Sequence, residues 1–169
     1  MIALKINRYW HLYQQLLKEG MCDHFLLQEA VITQAVNPFT IDGSLQADYF
    51  DSEETENLQL QDLSYVPFSL MRPALSETDA GQKETSLFLN LLFLLSPANQ
   101  LNTVERAGTS FLPEDVSGMY LHFTYKNETL TCTTGISYRK FSLDKTLDQE
   151  WDRLVPVFLR KNGIAAEPV

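Results

Sequence analysis

From Met119 to Thr134 the chain is written in period two. Met119, Leu121, Phe123 and Tyr125 alternate with Tyr120, His122, Thr124 and Lys126. After Asn127-Glu128, Thr129, Thr131 and Thr133 alternate with Leu130, Cys132 and Thr134. Side chains one residue apart on a strand point to opposite faces, so each run has an apolar and a polar side. A two-residue turn at Asn127-Glu128 pairs Phe123 with Cys132 and His122 with Thr133. That register puts both apolar sets on one face, and a slip of one residue would separate them. No other stretch constrains the fold as tightly. A third strand, about Ile136 to Leu143, is expected after Gly135.

The flanking elements follow from periodicity and punctuation. Ile2, Leu4 and Ile6 mark a short strand. Asn7 is placed to cap a helix whose stripe is Tyr9, Trp10, Tyr13, Leu16 and Leu17, ended by Gly20. Phe25 to Val36 reads as a long strand. Asn37-Pro38 turns it, and Phe39 to Ile41 returns before Asp42-Gly43. From Leu45 to about Gln82 the pattern fails; one or two irregular strands are expected, with Glu77 to Lys83 an exposed loop. Leu87 to Leu95 is apolar on both sides, as in a strand buried from two faces. Ser96-Pro97 starts a helix through Leu101, Val104 and Ala107, stopped by Gly108. A last helix, capped by Asp144 or Thr146, carries Leu147, Trp151, Leu154, Val155 and Phe158, with Pro156 a kink inside it. Ile164 to Val169 reads as a frayed tail. The expected fold is α+β: one domain over residues 1–169, a mostly antiparallel sheet with three helices, the last of them C-terminal.

Charge sets the middle apart. The chain has 13 Lys and Arg against 22 Asp and Glu, a net charge of −9. Between Asp42 and Glu84 lie ten acids and two bases, so eight of the nine excess negative charges fall there. Residues 44–84 are therefore expected to form an acidic, loop-rich segment on an otherwise near-neutral domain. The aromatic content speaks against whole-chain disorder. The longest apolar run, Leu87 to Leu95, is about half the roughly 20 residues a membrane helix needs. The opening residues lack the pattern of a secretory signal, so a soluble, cytoplasmic protein without a membrane partner is expected.

Catalytic signatures are missing. There is no GxSxG, no SxxK and no glycine-rich phosphate loop. Cys22 and Cys132 stand apart with no metal-ligand spacing, and free thiols are expected. His11, His24 and His122 form no paired motif, so neither a metal nor another cofactor is implied. Asp42, Asp48, Asp51, Glu53 and Glu54 are dense but lack the ligand ladder of a calcium loop. Asn127-Glu128-Thr129 matches a glycosylation sequon without any sign of export. The best-defined polar surface is that of the hairpin, with Tyr120, His122, Thr124, Thr131 and Thr133 as candidate binding residues. A second candidate, for nucleic acid, is the polar face of two helices, carrying Arg8, His11, Gln15, Lys18 and Arg106, with Asn99 and Asn102 beside them.

The phrases Phe39-Thr40-Ile41-Asp42-Gly43, Leu130-Thr131-Cys132-Thr133-Thr134-Gly135 and Phe141-Ser142-Leu143-Asp144-Lys145 resemble an uncharacterised bacterial family of unknown function, over essentially the whole chain. That resemblance implies no site residues. The element order is also similar to one repeat of a DNA sliding clamp, in which two helices line the hole. Here those helices would be Arg8 to Lys18 and Pro97 to Ala107, although clamp protomers hold two or three repeats and the last helix has no counterpart. The expected function is a non-catalytic binding or assembly protein, its partner another protein or a second copy. The alternatives are a clamp-like nucleic-acid accessory protein and an enzyme with a site near His122. Cys132, core-facing in the expected register, would be a poor nucleophile for the latter.

Overall fold

The computed structural model describes residues 1–33, 38–78 and 88–169. The elements run β1 (Ala3–Ile6), α1 (Tyr9–Leu17), β2 (Phe25–Thr33), β3 (Phe39–Asp42), α2 (Ser52–Asn57), β4 (Val66–Pro67), α3 (Phe68–Thr78), β5 (Phe88–Leu95), α4 (Pro97–Ala107), β6 (Val116–Lys126), β7 (Thr129–Tyr138), α5 (Thr146–Lys161) and β8 (Ala166–Pro168). The fold is α+β. All strand pairs are antiparallel and belong to one sheet, in the order β3-β2-β5-β6-β7-β1-β8, with β4 against β2 off this path.

The hairpin β6–β7 has the register its pattern demands, Phe123 opposite Cys132 and His122 opposite Thr133. Asn127 and Glu128 turn it with φ of 50° and 60°. Two successive residues at positive φ match the right-handed twist of the strands they join. Strand β7 does not stop at Gly135, which pairs with Tyr120, and it continues as far as Tyr138. The separate strand expected from Ile136 to Leu143 is therefore absent; its first half belongs to β7, and Phe141 and Leu143 are exposed.

One face of the sheet is the core. Leu4 and Ile6 of β1, Leu27 and Ala30 of β2, Leu89, Leu91, Phe93 and Leu95 of β5, Leu121 and Phe123 of β6, and Leu130 and Cys132 of β7 are all buried in one cluster. Leu27 and Ala30 are three residues apart, which period two alone would put on opposite faces. A bulge between Leu27 and Glu29 resets the phase. Helices α1, α3, α4 and α5 add Leu12, Leu16 and Leu17, Phe68 and Leu75, Val104, and Leu147, Trp151, Val155 and Leu159 to the same cluster. Because these helices feed one face, β5 is not buried from both sides as expected: Phe88, Asn90, Leu92 and Leu94 are only half-buried. Leu87 lies outside the described residues.

The segment from Leu45 to Thr78 is also more ordered than expected. Asp51 caps α2, its Oδ1 accepting from the Glu54 amide at 2.8 Å while Glu54 Oε2 accepts from the Asp51 amide at 3.1 Å. This reciprocal capping box holds a helix with no buried residue. Helix α3 carries Pro73 inside it, yet buries Phe68 and Leu75. Arg72 on α3 donates to both carboxylate oxygens of Asp23, at 2.8 and 2.9 Å, and to the Leu17 and Lys18 carbonyls at the end of α1. Residues 34–37 and 79–87 are not described, so Asn37 of the expected turn, the end of the expected strand at Val36 and the loop up to Lys83 lie outside.

Four terminal details differ from expectation. Arg8, not Asn7, occupies the N-cap of α1 and makes no capping bond, while Asn7 Nδ2 faces Glu167 Oε1 at 3.4 Å. The buried stripe of α1 includes Leu12 and leaves Trp10 46% exposed, because burial here follows the sheet rather than the largest side chains. The final residues are not frayed: Gly163, at φ 72°, turns the chain, Ile164 is buried and β8 pairs with β1. Lys145, rather than Asp144 or Thr146, occupies the N-cap of α5 and makes no side-chain capping bond, although Asp144 Oδ1 accepts from the Thr146 amide at 2.9 Å.

Phe93 is fully buried at the centre, its ring edge-on to Phe68 at 4.9 Å, Phe123 at 6.0 Å and Phe25 at 6.1 Å. Truncation there empties a site that several elements share and cannot all collapse into. Phe93→Ala is expected to lose about 3–5 kcal/mol of stability in urea denaturation. A loss under about 1 kcal/mol would mean that the sheet and helices do not meet at this ring.

Candidate binding surface

The face of the sheet opposite the core is polar and partly exposed around His122, while at its other end Leu26 is buried and, with Leu94, lies beside Asp62 and Ser64. Residues paired across antiparallel strands share a face, so register alone defines its rows. One row crosses from Asp42 through Glu29, Leu92, His122 and Thr133 to Ala3. The next runs Thr40, Val31, Asn90, Thr124, Thr131, Lys5 and Glu167. A third holds Thr33, Phe88, Lys126 and Thr129. Tyr120, His122, Thr124, Thr131 and Thr133 thus lie together on this face, all half-buried.

His122 is its most constrained member. Its Nε2 is hydrogen-bonded to Asn90 Oδ1, and Thr124 Oγ1 stands 3.3 Å from the same nitrogen. A carboxamide oxygen can only accept, so the ring carries its proton on Nε2 in this pairing. Burial pushes the His122 pKa down, and the nearby Glu29 carboxylate opposes the shift. Tyr120 is held from the core side, its carbonyl accepting from Trp151 Nε1 at 3.0 Å. Its phenol is pushed up by burial and by Tyr65. Gly118 makes room for that ring: a Cβ there would sit 2.8 Å from the Tyr120 hydroxyl oxygen and 2.7 Å from Leu94. Thr131 Oγ1 donates to the Thr124 carbonyl at 3.4 Å.

Asn90, Leu92, Glu29 and Lys5 share this surface but are not evident from the hairpin alone. They arrive from β5, β2 and β1 by non-local pairing. The one local signal is Asn90, the single polar residue in the apolar run of β5.

The other candidate residues are dispersed. Arg8 and His11 line a cleft of about 180 Å³ beside Gly163 and Ile164. His11 is half-buried, its Nε2 against the Gly163 carbonyl at 2.9 Å. Lys18 lies where Arg72 reaches its carbonyl, and Gln15 is half-buried on α1. Arg106, with Asn99 and Asn102, lines a different groove between α4 and α5. Helix α1 packs on α3 and helix α4 on α5, so these side chains do not converge as the two helices of a clamp repeat would require. In the acidic segment, Asp51 and Glu54 are committed to the capping box, and Asp42 Oδ1 accepts from the Ser44 amide at 2.9 Å. Among the described residues no group of three or more His, Cys, Asp or Glu is placed to hold a metal ion. Nor, among them, is any helix long and apolar enough to cross a membrane.

The arrangement defines an α+β domain with one sheet face sealed by helices and the other offering hydroxyl, amide, imidazole and short apolar groups. The chain belongs to the Family of unknown function (DUF5721), which matches residues 15–167. No curated protein and no solved structure matches it.

Both thiols are free and fully buried on the covered side. Burial raises the Cys22 thiol and pushes Cys132 up to about 12. Cys132 is therefore expected to resist a thiol reagent until the protein unfolds; fast labelling of the native protein would overturn its placement. His122 should titrate below 6.5. Since the unfolded chain then takes the proton first, stability falls as pH drops through the window just below 6.5. Proton NMR of the ring reads the midpoint, and His122→Gln should flatten that part of the stability profile. A midpoint at or above 6.5 would contradict the burial.

Proposed function

We propose that this protein is a non-catalytic binding or assembly protein that docks its partner on the open sheet face around Tyr120 and His122. The observation that supports it most is the continuity of that face. Half-buried Leu92 and Val31 lie among Asn90, Thr124, Thr131 and Thr133 on neighbouring strands, so an apolar strip runs between hydrogen-bonding groups. Interfaces have this make-up, an apolar centre in a polar rim. The hairpin's thiol, Cys132, points into the core and away from this face.

The charges favour a second copy as partner. Asp42 and Glu29 lie towards β3, and Lys126 and Lys5 lie towards β6 and β1. A two-fold axis near the centre of the sheet lays Asp42 and Glu29 of one copy towards Lys5 of the other, which has Glu167 as its neighbour on β8. Four strand spacings of about 4.8 Å by eight residues of about 3.3 Å give roughly 500 Å² of face per copy. That is at the low end for specific association, so a weak, concentration-dependent dimer is expected.

Light scattering over a range of protein concentration tests this. The mass should climb from one chain towards two, and Thr124→Glu with Thr131→Glu should hold it at one. A mass that stays at one chain throughout would sink the self-association, and a dimer indifferent to those substitutions would move it off this face.

A further inference from the structure

We infer that the groove between α4 and α5 binds a small amphiphile, an apolar body carrying one carboxylate-type anion. The groove has a volume of about 660 Å³, within the range of small-molecule sites. Its floor is core: Phe25 and Leu95 reach it while remaining buried. Half-buried Leu154 and Phe158 of α5 form one apolar wall. An apolar ligand body would cover these side chains, which water now reaches.

Charge identifies the head group. Arg106, Arg153 and Lys161 line the groove against one acid, Glu150, which leaves +2 in a chain whose net charge is −9. Glu150 is already taken, accepting from Arg153 Nε at 2.9 Å and Nη2 at 2.7 Å. Arg106 and Lys161 have no ion-pair partner among the described residues. They come from different helices and stand over one apolar floor. An anion held at these cations while its tail lies on Leu154 and Phe158 uses both the charge and the apolar wall of the groove. A neutral apolar molecule would leave the two cations unused, and a polyanion would gain nothing from the floor. This site is separate from the open sheet face and does not depend on it.

The probe is anilinonaphthalene sulfonate, an aromatic body with a single anionic group, titrated into the folded full-length protein. Saturable fluorescence is expected, with decanoate displacing the dye and decanol displacing it far less. Arg106→Glu with Lys161→Glu, both on exposed side chains, should weaken dye and decanoate about tenfold or more and blunt their salt dependence. Leu154→Trp, which fills the groove without touching the charges, should also weaken the dye. Thermal melts of each variant separate loss of binding from loss of fold. Unchanged affinity in the double charge variant, or equal displacement by decanol, would overturn the proposal. So would a dye signal that fades as protein concentration rises, since that would hand the groove to the acidic segment of a second copy.

Discussion

Phe93 is the point on which the rest of the structure depends. Its ring meets Phe25 of β2, Phe123 of β6 and Phe68 at the start of α3, so strands from both halves of the sheet and a helix from the acidic middle close on one side chain. Apolar burial is the main favourable term in folding and has no direction of its own. Here the strand period gives it one. With every second residue of β5, β6 and β7 inside, the helices have a single apolar face to seal, and they seal it. The polar face is what remains. Its openness is thus a result of how the core is satisfied, and the bulge in β2 extends the same division to the neighbouring strand by keeping Leu27 and Ala30 together.

How far this was legible in the chain depends on whether each element carries its own signal. The β6–β7 hairpin does: alternation and a two-residue turn determine its register, and the structure has that register. So does α4, with Pro97 at its first turn and Gly108 at φ 64° after its last. The elements that escaped notice rely on partners. Strand β8 is three residues long and exists because β1 offers it an edge. Helix α3 reads poorly, with Pro73 inside it, but gains Asp23 through Arg72 and a place for Phe68. Helix α2 did carry a local signal, Asp51 three residues before Glu54, which the surrounding acids obscured. The two-sided apolar pattern of β5 misled for another reason. Leu92 and Leu94 are apolar without being sealed, because composition records what a face could bury and not what covers it.

The same distinction holds for the surfaces. Tyr120, His122, Thr124, Thr131 and Thr133 fall together because one hairpin carries them all. Asn90 and Glu29 join them only through ladders between strands far apart in the chain. The groove between α4 and α5 could not be foreseen, since its walls come from helices separated by two strands and meet only in the folded molecule. Arg106 was visible as a basic residue on a polar helix face, but its neighbours are those of α5 and not those of α1.

The rims of the sheet carry a consequence of their own. At one border β8 is three residues long and ends in Pro168, which has no amide hydrogen to offer. At the other, β3 is four residues long and ends at Asp42, a charge that any strand added alongside would have to desolvate. Short borders, a proline and a buried-charge penalty are the means by which β proteins stop neighbours from extending their ladders. This sheet therefore cannot readily grow sideways into a filament or accept an extended peptide as an added strand.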